Sequence, residues 1–362
     1  MGIHLFTGFP GFIATQLIKG LIGEKKLKKF YAVVLESQFE RATEKANTIM
    51  EEMDVRIPFE IIVGDITLPN LGIKEPEFEK IRTETLTMWH LAAIYDLAVK
   101  EEIAWQVNVV GTKRVCEFAR NHPSIERLLY FSTAYVAGKR EGTLLETELI
   151  RPKAFKNHYE ETKFEAELLV EELKEKVPVT IIRPGIVRGH SKTGETVKFD
   201  GPYFFMNMID RLKWMPIIPY VGKSDAHINV VPIDYIIAAS IYLASFKEAA
   251  GYTVHLTDPS PYPVKEVYRA MVLELTGKKP KGRLPQALVR TGLASKRLQR
   301  KLGVEAETLD YLTWNAIFDT TNAERLLRES GICCADFIES IPSMATFYKE
   351  NKLNKNFHIK IG

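Results

Sequence analysis

The chain has few cysteines for its length. Three thiols, Cys116, Cys333 and Cys334, occur in 362 residues, and two adjacent cysteines are poorly placed to bridge to each other. They cannot form a disulfide framework, which fits a reducing cytoplasm. The eight histidines are scattered, and none stands at ligand spacing from these thiols, so the sequence predicts no metal site.

The chain also lacks an excess of charge and a long uninterrupted apolar run. A net charge of +3 is near neutral for this length and gives no reason to expect binding to nucleic acid or to an anionic membrane. The longest apolar stretch, residues 228–246, contains Pro232 and Asp234, so we expect a buried helix starting at Pro232 and no membrane span. The strand pattern begins at residue 3, which leaves no room for a signal peptide. We therefore expect a cytoplasmic protein.

Short apolar runs alternate with helical patterns through the first half of the chain. Strands are predicted near 3–7, 30–35, 59–64, 86–91, 126–133 and 178–183, and helices at 12–23, 40–53, 101–121 and 157–176. This alternation predicts an α/β fold with a doubly wound parallel sheet covered on both faces. With 46% hydrophobic residues the chain can bury a sizeable core.

The regular alternation ends after Gly189. Residues 201–206 and 214–220 are rich in aromatic residues, Met and Pro, and residues 259–362 are helical and in places basic. We expect the sheet domain to comprise residues 1–189 with 228–258. Residues 190–227 with 259–362 should form a smaller, mostly helical, substrate-binding cap.

A glycine pair follows the first predicted strand. Gly8 and Gly11 separate the apolar run 3–6 from the helical pattern 12–23. Glycines there would let the backbone turn sharply and approach a pyrophosphate, and the helix N-terminus would offer free N–H groups and partial positive charge. The third position of this pattern is Ala14, so the motif alone is equally compatible with a plain strand-to-helix turn.

A phenol and an ammonium group lie four residues apart in the fourth helix. Tyr159 and Lys163 therefore share one helix face, and the ammonium should lower the Tyr159 pKa from its reference of about 10. Alone, such a pair is more often a solvated lysine beside a half-buried tyrosine. A third element changes this reading, because the strand-like run 128–133 ends in the hydroxyls Ser132 and Thr133. Hydroxyl, phenol and ammonium together indicate carbonyl reduction.

On these motifs the chain resembles the extended short-chain dehydrogenase/reductase family. Within it, the chain is similar to the fatty acyl-CoA reductases and the thioester-reductase domains of carboxylic acid reductases. The resemblance covers most of the first 260 residues in eight segments: 7–13, 63–66, 90–93, 108–112, 131–136, 159–163, 183–187 and 230–234. It implies a Rossmann-type NAD(P)-binding domain that transfers hydride to or from a carbonyl substrate.

The resemblance also implies roles for individual residues. Tyr159 would exchange the proton on the substrate oxygen, Lys163 would lower its pKa and hold the nicotinamide ribose, and Thr133 would bond the same oxygen, with Ser132 as the competing hydroxyl. His90 is expected to be a packed strand histidine. Cofactor contacts are expected from Gly8, Phe9, Pro10, Gly11, Phe12, Ile13, Glu36, Arg41, Asp65, Ile66, Ala92, Ala93, Lys163, Pro184, Gly185 and Val187.

The choice between NAD and NADP depends on the end of the second strand. Glu36 there would bond a ribose 2′-hydroxyl and repel a 2′-phosphate, which favours NAD, although a helix N-terminal acid is an equally good interpretation. The similar reductases carry Arg near that strand end and use NADPH, and Arg41 lies one helical turn further on. The resemblance leaves NADP(H) slightly preferred over NAD(H).

Three functions are compatible with the sequence. The leading hypothesis is a reductase of a small hydrophobic carbonyl compound or of an acyl thioester, which would arrive on coenzyme A or on a separate carrier protein. A nucleotide-sugar epimerase or dehydratase is an alternative, which Arg211, Lys213 and Lys223 keep open; these cations could equally meet the phosphates of coenzyme A. The third is a non-catalytic dinucleotide-binding sensor. A homodimer is also compatible with the sequence.

Overall fold

The computed structural model describes residues 1–95, 99–222, 226–303, 309–311 and 313–358. The strands in these ranges are β1 (Gly2–Thr7), β2 (Leu27–Val34), β3 (Phe59–Val63), β4 (Leu86–His90), β5 (Ile125–Phe131), β6 (Gly142–Leu144), β7 (Val179–Pro184), β8 (Ile186–Arg188), β9 (Tyr220–Val221), β10 (Val230–Pro232), β11 (Thr253–Leu256), β12 (Arg283–Leu284) and β13 (Ala316–Phe318). The α-helices are α1 (Phe12–Gly23), α2 (Phe39–Glu52), α3 (Glu75–Arg82), α4 (Glu101–Ala104), α5 (Gly111–Asn121), α6 (His158–Leu173), α7 (Tyr203–Leu212), α8 (Ile233–Ser245), α9 (Val264–Thr276), α10 (Gln286–Leu293), α11 (Lys296–Leu302), α12 (Thr321–Leu327) and α13 (Phe337–Asn351).

Seven parallel strands form the central sheet, in the order β11-β7-β5-β4-β1-β2-β3. The chain starts in the interior of the sheet and winds outward in both directions, as in doubly wound folds. One buried core packs α1, α2, α8 and α12 on one face, and another packs α3, α5 and α6 on the other. The predicted fold class is confirmed, with each predicted strand and helix within a few residues of its observed position.

Two local features were not predicted from the sequence. Strand β11 has only four residues, with Thr253 and His255 alternating with its apolar residues, so it lacks the continuous apolar run of the other buried strands. A π-helical turn at Trp105–Val110 joins α4 to α5. Within it the Asn108 side chain bonds Ile94 N at 2.8 Å and Thr162 Oγ1 at 2.9 Å. The turn thus ties the loop after β4 to helix α6.

A separate hydrophobic core lies between α7, α9 and α13. It is filled by aromatic and aliphatic residues that the sequence assigned to the cap, among them Tyr203, Phe204, Phe205 and Met206. Further along the predicted cap, β13 pairs with β6, and α12 packs against β11 and α8 on the sheet side. Within the described ranges, no helix combines the length and apolar character that a membrane crossing requires.

The turn between β1 and α1 depends on a close approach to the end of β4. Gly8 has a φ of +86°, and a Cβ built there would lie 2.7 Å from both Ala92 N and Leu91 C. Gly11 N donates to Gly8 O at 2.8 Å, which closes the turn. This contact requires glycine at position 8 independently of any bound ligand.

Gly8→Ala should therefore destabilise the protein by about 1–3 kcal/mol or more, because the alanine must adopt a strained φ against rigid backbone. The matched control is Gly23→Ala in α1, where an added Cβ has nothing within 4 Å and alanine should be neutral or stabilising. The free energy of unfolding from denaturant titration measures both changes. A Gly8→Ala variant as stable as the wild type would contradict this account of the turn.

Candidate active site

The predicted cofactor residues share one edge of the sheet, because all seven strands run parallel and their carboxyl ends point the same way. Residues 8–13 follow β1, Glu36 and Arg41 follow β2, and Asp65 and Ile66 follow β3. Ala92 and Ala93 follow β4, Thr133 follows β5, and residues 184–187 cover the end of β7 and the start of β8. The fold brings these segments to the edge where such sheets bind dinucleotides.

The donors at the start of α1 fit a pyrophosphate. Gly11 caps the helix without any side-chain hydrogen bond, and the first turn has no acidic residue. The N–H groups of the first turn of α1 are thus open to an anion, and the helix dipole favours negative charge at this end of the helix. The Phe9 side chain is buried in the core against Phe30, with ring centroids 6.0 Å apart. Only its backbone is available to a cofactor.

Four of the predicted contacts follow β2 and β3. Glu36 and Arg41 are both exposed, and Arg41 Nη1 donates to Gln38 Oε1 at 3.4 Å. Asp65 is engaged locally, because its Oδ1 accepts a hydrogen bond from Thr67 N at 2.8 Å. Ile66 is buried. Glu36 just after β2 and Arg41 in the first turn of α2 are therefore exposed charged groups on the side where such sheets bind an adenosine ribose.

Tyr159 and Thr133 are brought together from different elements. Tyr159 lies in the first turn of α6, which Asn157 caps by accepting from Glu160 N at 3.0 Å. Thr133 ends the loop after β5 and caps the 3₁₀ turn Ala134–Ala137, with Tyr135 N donating to its Oγ1 at 3.2 Å. The Thr133 hydroxyl lies near enough to the Tyr159 phenol to act against the rise in the Tyr159 pKa that burial causes. Phenol and hydroxyl are thus placed to act on one substrate oxygen.

Lys163 lies one turn deeper in α6 and is almost fully buried. Its Nζ donates to Tyr130 Oη at 2.8 Å and to Phe131 O at 2.7 Å. Burial lowers the Lys163 pKa to about 7, while the Glu167 carboxylate acts in the opposite direction. The ammonium is therefore held by the end of strand β5.

The expected lowering of the Tyr159 pKa is wrong for this structure. Burial raises that pKa to about 12, and the Thr133 hydroxyl offsets only part of the effect. Desolvation disfavours the Tyr159 phenolate. The Lys163 ammonium donates to Tyr130 Oη and Phe131 O and not to the Tyr159 hydroxyl. Tyr159 is accordingly a protonated acid at neutral pH in this state of the protein.

A buried ion pair beside the site was not found from the sequence. Glu167 accepts from Arg183 Nε at 2.8 Å and from Nη2 at 2.5 Å, and it also accepts a hydrogen bond from Ser132. Ser132 is thus bound to this ion pair, and Thr133 is the hydroxyl beside Tyr159. The sequence did contain one indication of this carboxylate. Tyr159, Lys163 and Glu167 are spaced four residues apart, which places all three on the same face of α6.

His90 is a packed strand histidine, as predicted. Its Nδ1 lies 2.7 Å from Thr7 Oγ1 and its Nε2 lies 2.9 Å from Thr112 Oγ1. Complete burial lowers the His90 pKa to about 3. The ring is neutral at physiological pH and links β1, β4 and α5.

The aromatic segments of the cap do not by themselves indicate an apolar substrate. Tyr203 to Met206 fill the core of the cap, while Trp214 and Ile217 are exposed at 77% and 54%. Residues 203–206 are therefore part of the interior of the cap. Lys213 pairs with Asp210 at 3.0 Å, and Lys223 lies outside the described residues.

The seven-stranded parallel sheet and the segments at its carboxyl edge are those of the extended short-chain dehydrogenase/reductase class of NAD(P)-binding proteins. The chain belongs to the male sterility protein family of NAD-binding domains, whose model matches residues 6–240. The predicted family is thereby confirmed.

One curated relative is the fatty acyl-CoA reductase wat of Drosophila melanogaster. It is 26% identical over 273 residues, which cover 66% of this chain and 53% of the relative. Across several such relatives, this chain spans between 24% and 64% of their lengths. The similarity therefore concerns a part of those longer proteins.

Solved structures share the fold over almost the whole chain. The terminal R domain of the myxalamid PKS-NRPS pathway has a TM-score of 0.82 at 24% identity, covering 98% of this chain and 92% of that domain. A thiolation-reductase di-domain from an archaeal non-ribosomal peptide synthetase has a TM-score of 0.73 at 18% identity, covering 97% and 76%. UDP-glucuronic acid 4-epimerase from Bacillus cereus, in complex with NAD, has a TM-score of 0.65 at 17% identity, covering 96% and 99%.

The contact between Lys163 and Tyr130 yields a pH prediction. If the Lys163 ammonium supports reduction, kcat/KM should fall as pH rises above about 7, where this buried amine loses its proton. Tyr130→Phe removes one acceptor of the ammonium, lowers its pKa further and should move this fall to lower pH.

The matched control is Tyr31→Phe, which removes a phenol bonded by Lys29 Nζ at 2.6 Å on strand β2, a strand that carries none of Thr133, Tyr159 and Lys163. Its pH profile of kcat/KM should equal that of the wild type. A profile that Tyr130→Phe leaves unmoved would exclude a role of Tyr130 in setting the Lys163 charge.

Proposed function

We propose that this protein is an NAD(P)H-dependent reductase of acyl thioesters. The observation that carries the proposal is the Tyr159 phenol beside the Thr133 hydroxyl, with the Lys163 ammonium one helical turn deeper. Such a group can polarise and protonate a carbonyl oxygen. The names of the relatives, a fatty acyl-CoA reductase among them, support a thioester as the carbonyl compound.

The residues divide the work of carbonyl reduction. Thr133 and Tyr159 would both hydrogen-bond the carbonyl oxygen, and Tyr159 would give its proton as negative charge develops there. Lys163 would stabilise the phenolate that remains, because its ammonium lies on the same helix face. The bound nicotinamide supplies the hydride. We place the dinucleotide on the N–H groups of α1 and along residues 8–13, 65–66, 92–93 and 184–187.

We also propose that residues 190–227 and 259–362 provide most of the substrate-binding surface. Lys198 Nζ donates to Tyr95 Oη at 2.8 Å, which connects the loop after β4 to the segment before α7. The Tyr95 phenol also influences the Tyr159 pKa, so this contact lies near the acid. Substrate would therefore reach Tyr159 beside the Tyr95–Lys198 pair.

Tyr159→Phe removes the acid and keeps the ring, so turnover should fall by about 10² to 10⁴ with little change in cofactor affinity. NAD(P)H consumption with long-chain acyl-CoAs and aldehydes, and product analysis with UDP-sugars, whose epimerisation or dehydration consumes no net NAD(P)H, test both the residue and the substrate class. Ser132→Ala is the matched control, since Ser132 bonds Glu167; it should lower stability more than turnover. Full turnover in Tyr159→Phe would refute the proposal, and turnover of UDP-sugars alone would replace it by the epimerase alternative.

We propose NADPH as the preferred reductant, with Arg41 as the partner of the 2′-phosphate. Removing the charge-assisted hydrogen bonds of Arg41 should then cost about 1.5–3 kcal/mol, or roughly 10- to 150-fold in NADPH preference. If Glu36 instead faces the ribose, Glu36→Ala should improve NADPH use relative to NADH, and Arg41→Ala should matter little. Steady-state kinetics of both variants with both cofactors distinguishes these cases. An NADPH preference unchanged in Arg41→Ala would exclude Arg41.

A further inference from the structure

A cluster of polar side chains joins the start of α6 to the turn that Thr133 caps. Its members are Lys156, Glu160 and Tyr311. The side chains of Lys156 and Glu160 are only 3% and 0% exposed, and the half-buried Tyr311 reaches them from the C-terminal part of the chain. Charged groups buried to this extent are costly unless other groups pair with them, so the contacts of each member matter.

The Glu160 carboxylate turns back over the first turn of α6. Its Oε2 accepts from Lys156 N at 3.0 Å, and its Oε1 accepts from Tyr311 Oη at 2.8 Å. Asn157 accepts from Glu160 N at 3.0 Å and donates from its Nδ2 to Tyr311 Oη at 3.1 Å. The arrangement is a form of capping box to which a phenol has been added. Tyr159 lies between Asn157 and Glu160, so these contacts fix the backbone that carries the acid.

Lys156 connects the same helix start to the turn after β5. Its Nζ donates to Gly138 O at 2.5 Å, and Gly138 ends the 3₁₀ turn that Thr133 caps. The ammonium lies 3.6 Å from Glu160 Oε1 and 3.6 Å from the centre of the Trp314 ring. A carboxylate and an aromatic face thereby replace part of the water that the ammonium has lost. One side chain therefore holds the start of α6 to the turn that carries the oxygen-binding hydroxyl.

The cluster also acts on the acid through its charge. Burial raises the Tyr159 pKa, and the Glu160 carboxylate raises it further. Both effects favour the protonated phenol that a general acid requires. Burial raises the Glu160 pKa as well, and the Lys156 ammonium acts against that rise. Lys156 thus favours the charged carboxylate beside Tyr159.

We propose that Lys156, Glu160 and Tyr311 are positioning residues, which hold the Tyr159 phenol beside the Thr133 hydroxyl during proton transfer. The inference rests on the proposed reduction of a carbonyl group. It extends the support of the acid to the C-terminal part of the chain, which no sequence motif connects with Tyr159. A displacement of about 1 Å between reacting groups can cost about 10²-fold in rate, so such support has a measurable effect on turnover.

Tyr311→Phe removes the phenol and keeps the ring, which packs edge-on against Tyr135 at 5.2 Å. We expect kcat to fall by about 10- to 100-fold, with KM for substrate and Kd for NADPH within about 2-fold, because misplaced groups lose rate more than affinity. Tyr31→Phe is the matched control, since it removes a phenol hydrogen bond on β2 and should leave kcat unchanged. An unchanged kcat in Tyr311→Phe would overturn the proposal.

A double-mutant cycle separates positioning from a general loss of structure. If Tyr311 acts through the acid, Tyr311→Phe should lower kcat in the wild type but not in the Tyr159→Phe background, where no phenol remains to be positioned. The same relative loss of kcat in both backgrounds would show a merely structural role and would contradict the proposal.

Glu160 provides a test that does not require Tyr311→Phe to fold. Glu160→Gln keeps an oxygen that can accept from the Tyr311 phenol, whereas Glu160→Ala leaves that phenol without this acceptor. We therefore expect kcat of Glu160→Gln to exceed that of Glu160→Ala by about 10-fold, with the same Kd for NADPH. Equal kcat values in the two variants would exclude the hydrogen-bonded role of Glu160.

The position of the phenol is also measurable without turnover. In protein labelled with 3-fluorotyrosine, the Tyr159 resonance in the ¹⁹F spectrum is the one that disappears in Tyr159→Phe. It should shift or broaden in Tyr311→Phe and in Glu160→Ala, and stay in place in Tyr31→Phe. A Tyr159 resonance unchanged in the first two variants would overturn the proposal. A shift in a protein that reduces aldehydes but no thioester would support the positioning role and refute the proposed thioester substrate alone.

Discussion

The buried ion pair between Glu167 and Arg183 fixes the geometry on which the rest of the site depends. It joins helix α6 to strand β7, and Ser132 extends it to the end of β5. A buried ion pair is costly unless its remaining donors and acceptors are satisfied. Here Arg183 also donates to Glu148 O at 2.9 Å and lies 3.2 Å from His255 Nε2. The pair therefore sets how far α6 stands from the strand ends.

The position of α6 in turn determines which groups Tyr159 and Lys163 can contact. Tyr159 stands over the loop that carries Thr133, while the Lys163 ammonium is placed among the backbone and phenol of β5. Burial favours the uncharged forms of both side chains. The site thus retains a protonated phenol beside an amine that exchanges its proton near neutral pH, which is a suitable starting state for an acid in carbonyl reduction.

The sheet could be predicted because its strands are buried on both faces and appear as apolar runs. The common helix face of Tyr159 and Lys163 could be predicted because residues four positions apart lie on the same side of an α-helix. Other features depend on which residues meet across long sequence separations. Nothing near Glu167 indicates Arg183 as its partner, and the Tyr159 pKa depends on burial that no spacing reveals. Residues 203–206 look the same in sequence whether they line a cavity or, as observed, fill a core.

The turn that carries Thr133 rests on the last part of the chain. Ala134 and Tyr135 pack against Trp314 and Phe318, and β13 pairs with β6 across almost half of the sequence. Contacts of such separation form late, because the loop-closure entropy is lost before they stabilise the fold. During synthesis the sheet can assemble while the nascent chain is still incomplete. The turn that carries Thr133 acquires its support only after residues 314–318 have left the ribosome, so a partly synthesised chain has the sheet before it has a supported Thr133.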